Sequence, residues 1–164
     1  MTIPYKRALI IGAGSGLSAS LARQFAAAGL SVALAARSTD DLAELAEETG
    51  ASRHRCDAGR REAIHALFAE VDEQGAPDVV VYNPSARVRG PITEADGAAA
   101  DAAVQVTALG AFHSAQAAAR RMVPTGHGRH LGWIIWSQLI FESLVSLDKL
   151  CQFEMNRDDL QDKN

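Results

Sequence analysis

Ile11-Gly12-Ala13-Gly14-Ser15-Gly16-Leu17-Ser18 is the stretch that decides how this chain folds. The run Arg7 to Ile11 before it is apolar and β-branched, and reads as a buried strand. Ser15 to Ala28 reads as a helix, because Leu17, Leu21, Phe25 and Ala28 share one face and Gly29 can end it. Strand, glycine-rich turn, helix is the order an anion site needs. The glycines let the backbone turn sharply and approach a pyrophosphate, and the free N–H groups of the helix's first turn, aided by its dipole, face the phosphates. The strict GxGxxG spacing fails because position 17 is Leu; GxxxGxG fits, with Ser18 in the last glycine's place. Taken alone, the stretch is equally compatible with a turn that holds no ligand.

Working outward, the same alternation recurs. Ser31–Ala36 reads as a second strand, and a helix follows that Thr39 or Asp40 can cap and Gly50 can end. Ser52–Cys56 is a third strand, and the next helix turns Ile64, Leu67, Phe68 and Val71 inward. Asp78–Tyr82 is the most strand-like run in the chain, and an alanine-rich helix is expected from Asp101 to Met122. Strands alternating with helices predict a doubly wound parallel sheet with helices on both faces, a three-layer α/β/α, Rossmann-like arrangement. At 164 residues, one such domain is the natural count.

Composition narrows the function classes. The net charge of −4 disfavours a nucleic-acid partner, which wants a basic face. Cys56 and Cys151 form no CxxC pair, so the chain reads as a protein of a reducing compartment, the cytoplasm. The histidines show no metal-ligand spacing, and no metal site is expected. No secretory signal is read at the start. Leu131 to Leu147 is apolar enough to test as a membrane span, but Gln138 and Glu142 are costly there and the run is short.

The spacing Gly12-x-x-x-Gly16-x-Ser18 resembles that of short-chain dehydrogenases/reductases, whose turn reads TGxxxGxG; here Ile11 replaces the Thr and Ser18 the last Gly. Further matches follow in order. Ala36-Arg37-Ser38 ends the second strand without the carboxylate that an NAD-selective site places on the ribose 2′-OH. Arg37 can pair with a 2′-phosphate and Ser38 can donate to it; the plain alternative is a solvated surface Arg. Cys56-Asp57 is similar to the family's Asp at the adenine amine, although Asp57 can also simply cap the next helix. Tyr82-Asn83-Pro84-Ser85 stands where the family has Asn-Asn-Ala-Gly, and Asn83 keeps the second Asn. Val106-Thr107-Ala108-Leu109-Gly110-Ala111-Phe112 resembles the family's Asn-Val-Thr-Gly-Thr-Phe, with Thr107 replacing an Asn that supports the proton relay. The resemblance covers about residues 7 to 128. It implies cofactor contacts from Gly12, Gly14, Ser15, Gly16, Leu17, Arg37, Ser38, Asp57, Asn83 and Ser85, and NADP(H) rather than NAD(H).

The chemistry of that family also needs a Tyr and, four residues later, a Lys. Tyr5 is followed at that spacing by Leu9 and Tyr82 by Ala86, so the pair is absent. Alanine, common through residues 1–128, is missing from 129–164, where both tryptophans fall. The expected division is therefore a cofactor-binding domain over 1–128 and an atypical segment over 129–164, with the fold incomplete on its C-terminal side. In one reading Trp133–Ser137 is the fifth strand and Ser137 stands for the catalytic Ser. In another the tail is unrelated sequence, or an amphipathic helix over Trp133 to Leu147 that covers the fourth strand, with a charged disordered end.

Two functions follow. One is a short-chain oxidoreductase that binds NADP(H) for hydride transfer to or from a carbonyl or secondary alcohol. The alternative is an inactive, truncated nucleotide-binding product. Pairing of two copies through the long helix 101–122 is a further expectation, drawn from the family.

Overall fold

The computed structural model describes residues 5–132. Five strands, β1 (Arg7–Ile11), β2 (Ser31–Ala36), β3 (Ser52–Arg55), β4 (Val79–Tyr82) and β5 (Arg129–Gly132), form one sheet in the order β3-β2-β1-β4-β5. All four pairings are parallel. The doubly wound α/β arrangement is therefore present, with the chain reversing direction of growth between β1 and β4. Ligand crevices open at the carboxyl ends of the strands at such a reversal.

β1 shows why the sheet sits at the centre. Ala8, Leu9, Ile10 and Ile11 are all at most 2% exposed. Their side chains alternate between faces, as strand geometry requires. Leu9 and Ile11 join a cluster with Ile64, Leu67 and Phe68 of α3 (Arg61–Asp72) and Ala111, Ala117 and Ala118 of α5 (Gly110–Met122). Ala8 and Ile10 join the other, with Ala19 and Ala22 of α1 (Leu17–Ala27) and Leu45 and Ala46 of α2 (Ala43–Thr49). Burying each Leu, Ile or Phe contributes about 1.5–3 kcal/mol. The Asp78 carboxylate pins the start of β1 by accepting from the Lys6 and Arg7 N–H groups at 2.7 and 3.0 Å. Arg121 clasps Asp72 at 2.8 and 2.9 Å through Nε and lies over the Phe68 ring, so α5 is fixed to α3.

Several boundaries differ from expectation. The first helix begins at Leu17, with Gly16 as its cap, because the glycine turn occupies Ser15. Asp57 does not cap α3; Arg60 stands at that position, and the Asp57 carboxylate accepts instead from Gly59 N–H at 3.0 Å. Thr39 does precede a short 3-10 turn, Asp40–Leu42, but its side chain makes no capping bond there. The long helix starts not at Asp101 but at Gly97, because the Asp96 carboxylate accepts from Ala98 and Ala99 N–H. It is also not one helix. α4 (Gly97–Val104) passes through a π-turn, Gln105–Leu109, into α5. The fifth strand is present at Arg129, before the Trp133 expected to open it, and it pairs along the whole of β4. β4 is thus flanked by a strand on both sides. Trp133–Ser137, Ser137 itself and the remainder of the tail lie outside the described residues. Among the described residues no helix is long and apolar enough to cross a membrane, and no group of His, Cys, Asp and Glu could hold a metal ion.

Candidate cofactor site

At the carboxyl ends of β1, β2, β3 and β4 lies a cleft of about 590 Å³. It brings together eight residues named from sequence: Gly12, Gly14, Ser15, Arg37, Ser38, Asp57, Asn83 and Ser85. Gly16 and Leu17 do not line it; Gly16 caps α1 and the Leu17 side chain faces solvent. Asp41, Cys56, Val106 and Ala86 also line the cleft and are not among the contacts expected from sequence. Cys56 adjoins Asp57, and Asp41 lies four residues after Arg37; Val106 opens the family-like stretch, but tertiary packing alone brings it to the cleft.

The three turn glycines serve different ends. Gly12 has φ +80, and a Cβ there would lie 2.5 Å from Pro84 N and 2.8 Å from the Asn83 carbonyl carbon. Its small size lets the β1 turn touch the loop after β4. The Gly12 and Ala13 N–H groups are already committed, both donating to Ala35 O at 2.8 and 3.0 Å. Gly14 and Gly16 differ: a Cβ on either would meet nothing within 4 Å. Among the described residues, the N–H groups of Gly14, Ser15 and Gly16 have no acceptor. With the positive end of α1 directly behind them and no acidic residue in its first turn, they face open space able to receive an anion.

Across the sheet, the Arg37 side chain leaves the end of β2 exposed, with no ion-pair partner among the described residues. Ser38 follows it into the cleft. Asp41 and Asp57 put two carboxylates on the same walls.

The far wall is tied internally. Asn83 N–H donates to Ile11 O at 2.9 Å, and its side-chain amide donates to Ser18 Oγ at 2.9 Å. Thr107 Oγ1 accepts from Ala86 N–H at 3.2 Å and donates to Ala86 O at 3.4 Å. The Tyr82 hydroxyl donates to Val106 O inside the π-turn. Burial, then the neighbouring Cys56 and Asp57, raise the Tyr82 phenol well above its ordinary pKa. It is therefore a structural donor rather than a proton source. Cys56 is pushed up to about 11, by burial first and then by Asp57 and Glu70, so it stays a protonated thiol.

The comparison with known families decides what this arrangement is. The model of the short-chain dehydrogenases matches residues 6–136. The chain belongs to the short-chain dehydrogenase family. D-xylose 1-dehydrogenase of Caulobacter vibrioides is 34% identical over 147 residues, which cover 85% of this chain and 58% of that protein. An uncharacterized oxidoreductase of Mycobacterium tuberculosis is 41% identical over 87 residues, covering 48% of this chain and 34% of its own. Among solved structures, a metagenomic short-chain oxidoreductase in complex with NADP superposes with a TM-score of 0.74 at 28% identity, covering 77% of this chain and 61% of that one. A gluconate 5-dehydrogenase from Burkholderia cenocepacia, in complex with NADP and tartrate, gives 0.69 at 32% identity over 77% and 54%. The match thus spans 58% of the length of one of these curated relatives and 34% of the other.

Proposed function

We propose that this chain supplies the NADP(H)-binding part of a short-chain oxidoreductase acting on a carbonyl or secondary alcohol. The observation that carries the reading is one cleft lined both by Gly14 and Ser15, with their open N–H groups, and by the unpaired Arg37 beside Ser38. A pyrophosphate suits the first group, and a 2′-phosphate at the end of the neighbouring strand, β2, suits the second. Two structural relatives were solved with NADP, which supports the choice. The family match and the dehydrogenase and oxidoreductase names of the relatives favour this reading over a bare nucleotide-binding module.

When bound, the nicotinamide supplies hydride transfer. This chain's residues bind and orient. Gly14, Ser15 and Gly16 hold the pyrophosphate through backbone N–H groups, with Leu17 continuing the first turn of α1. Arg37 and Ser38 hold the 2′-phosphate. In this reading Asp57 meets the adenine amine, and Asn83 with Ser85 meets the adenosine ribose. Gly12 keeps the turn against the Asn83 loop. No Tyr-x-x-x-Lys pair occurs in the 164 residues, so proton transfer is assigned to none of the described side chains. Ser137 keeps its proposed role of orienting the carbonyl.

Self-association through α4 and α5 belongs to the same reading, since Val104, Leu109 and Phe112 are exposed along them. The test of the cofactor reading is a fluorescence titration of NADPH with the full chain. A saturable change at submillimolar concentration is expected; no change at millimolar cofactor would sink the reading.

A further inference from the structure

Ser18 sits where the short-chain dehydrogenases carry their last turn glycine, and its hydroxyl is fully engaged. The residue is 2% exposed. Its Oγ donates to Gly12 O at 3.0 Å and accepts from Asn83 Nδ2 at 2.9 Å. A hydroxyl has one proton and two lone pairs, so it can join a carbonyl to an amide in this way. A glycine at this position cannot. Gly12 and Asn83 both line the cleft, and Ser18 does not. The two joined segments also touch directly, because Gly12 has no room for a Cβ against Pro84.

We infer that Ser18 is a positioning residue that locks the phosphate turn to the loop after β4 and so presets two walls of the cleft. Its effect on cofactor rests on the NADP(H) reading above; the lock itself does not. Without the hydroxyl, Gly12 O and the Asn83 amide would be left facing each other across a buried gap, each short of a partner.

Two measurements on the full chain test this. The first is hydrogen exchange without cofactor, on Ser18→Ala and on Ser18→Gly, the residue the family carries. The amides to follow are Gly12 and Ala13, which donate to Ala35 O, and Asn83, which donates to Ile11 O. Exchange is expected to speed up in both segments together. Faster exchange confined to one segment, or in neither, would overturn the lock. The second is NADPH affinity across Ser18→Ala, Asn83→Ala and the double variant. Each single change should weaken binding about tenfold, the effect of one lost buried hydrogen bond, and the double variant should be no worse than either. Multiplying effects, or a lower Tm with unchanged affinity, would contradict a positioning role. If the unaltered chain binds no NADPH, the cofactor reading fails, and hydrogen exchange alone decides on the lock.

Discussion

On one wall of the cleft the N–H groups of Gly14 and Ser15, that of Gly16 next to them, and the Arg37 guanidinium have no partner among the described residues. On the other, Asn83 donates into the protein, and so do Thr107 and Tyr82, which do not line the cleft themselves. Both sides are polar, but on the second these donors are spent on other elements of the fold. Gly14 is half-buried and Ser15, Gly16 and Arg37 are exposed, so these donors are open to solvent. A cluster of open N–H groups at a helix start, with a cation at the end of the next strand, is the arrangement that suits an anionic ligand. The satisfied wall is a buttress: it fixes β4, the π-turn and the turn glycine relative to one another.

The sharpest way to break the buttress is Gly110→Ala. A Cβ there would stand 2.1 Å from the Tyr82 hydroxyl oxygen and 2.3 Å from Ala58 O, and the latter is backbone and cannot swing away. A loss of about 3 kcal/mol or more in urea unfolding is expected. Unchanged stability would mean that the tyrosine is not seated as described.

Acid should weaken the same side. β5 supports β4, and His130 on β5 lies 3.2 Å from Ser114 Oγ of α5. Burial lowers the His130 pKa to about 4. Its ordinary value is about 6.5, so the unfolded chain binds this proton first. Stability is fully present above about pH 6.5 and is lost as pH falls from there to about 4, by roughly 3 kcal/mol. Urea midpoints of the wild type and His130→Asn at pH 7 and pH 4 should show a smaller acid loss in the variant. Equal slopes would remove His130 from the account.

A milder change on this wall is Thr107→Val, which keeps the shape and deletes the two bonds to Ala86. It should cost about 1 kcal/mol by thermal or urea unfolding. On the open wall the contrasting change is Gly14→Ala, which meets no atom. Its stability should stay within about 0.5 kcal/mol of wild type. Its NADPH affinity should fall, because the methyl intrudes where the phosphate approaches. A Gly14→Ala protein that binds normally would show that the open side of the turn is not the ligand side.

The open wall was the more legible in sequence. It is built from consecutive residues, so Gly12–Ser18 and Arg37–Ser38 could be placed by spacing and strand ends alone. The unbroken apolar run of β1, buried on both faces, and the left-handed Gly50 at φ 68, capping α2, are likewise local signals. The buttress was less legible because its bonds are long-range. Nothing near Tyr82 announces Val106 as its acceptor, and an extra residue in a helical ladder has no sequence signature, so the π-turn was read as plain helix. Asp57 has the right chemistry for a helix cap, but Arg60 precedes the helix and Asp57 instead closes a turn on Gly59. Ser18 looked like a small substitute for glycine; its partner Asn83 is 65 residues away. Gly12 looked like a glycine for the ligand, and its closest neighbours are Pro84 and Asn83.

The central claim is that the open wall is an NADP site, with Arg37 on the 2′-phosphate. Calorimetric titration of the full chain and of Arg37→Ala with 2′,5′-ADP and with 5′-ADP tests it most directly. The wild type should prefer 2′,5′-ADP, and Arg37→Ala should lose about tenfold or more for that ligand while 5′-ADP binding stays nearly the same. Equal affinities in the wild type, or an equal loss for both ligands in the variant, would contradict the claim.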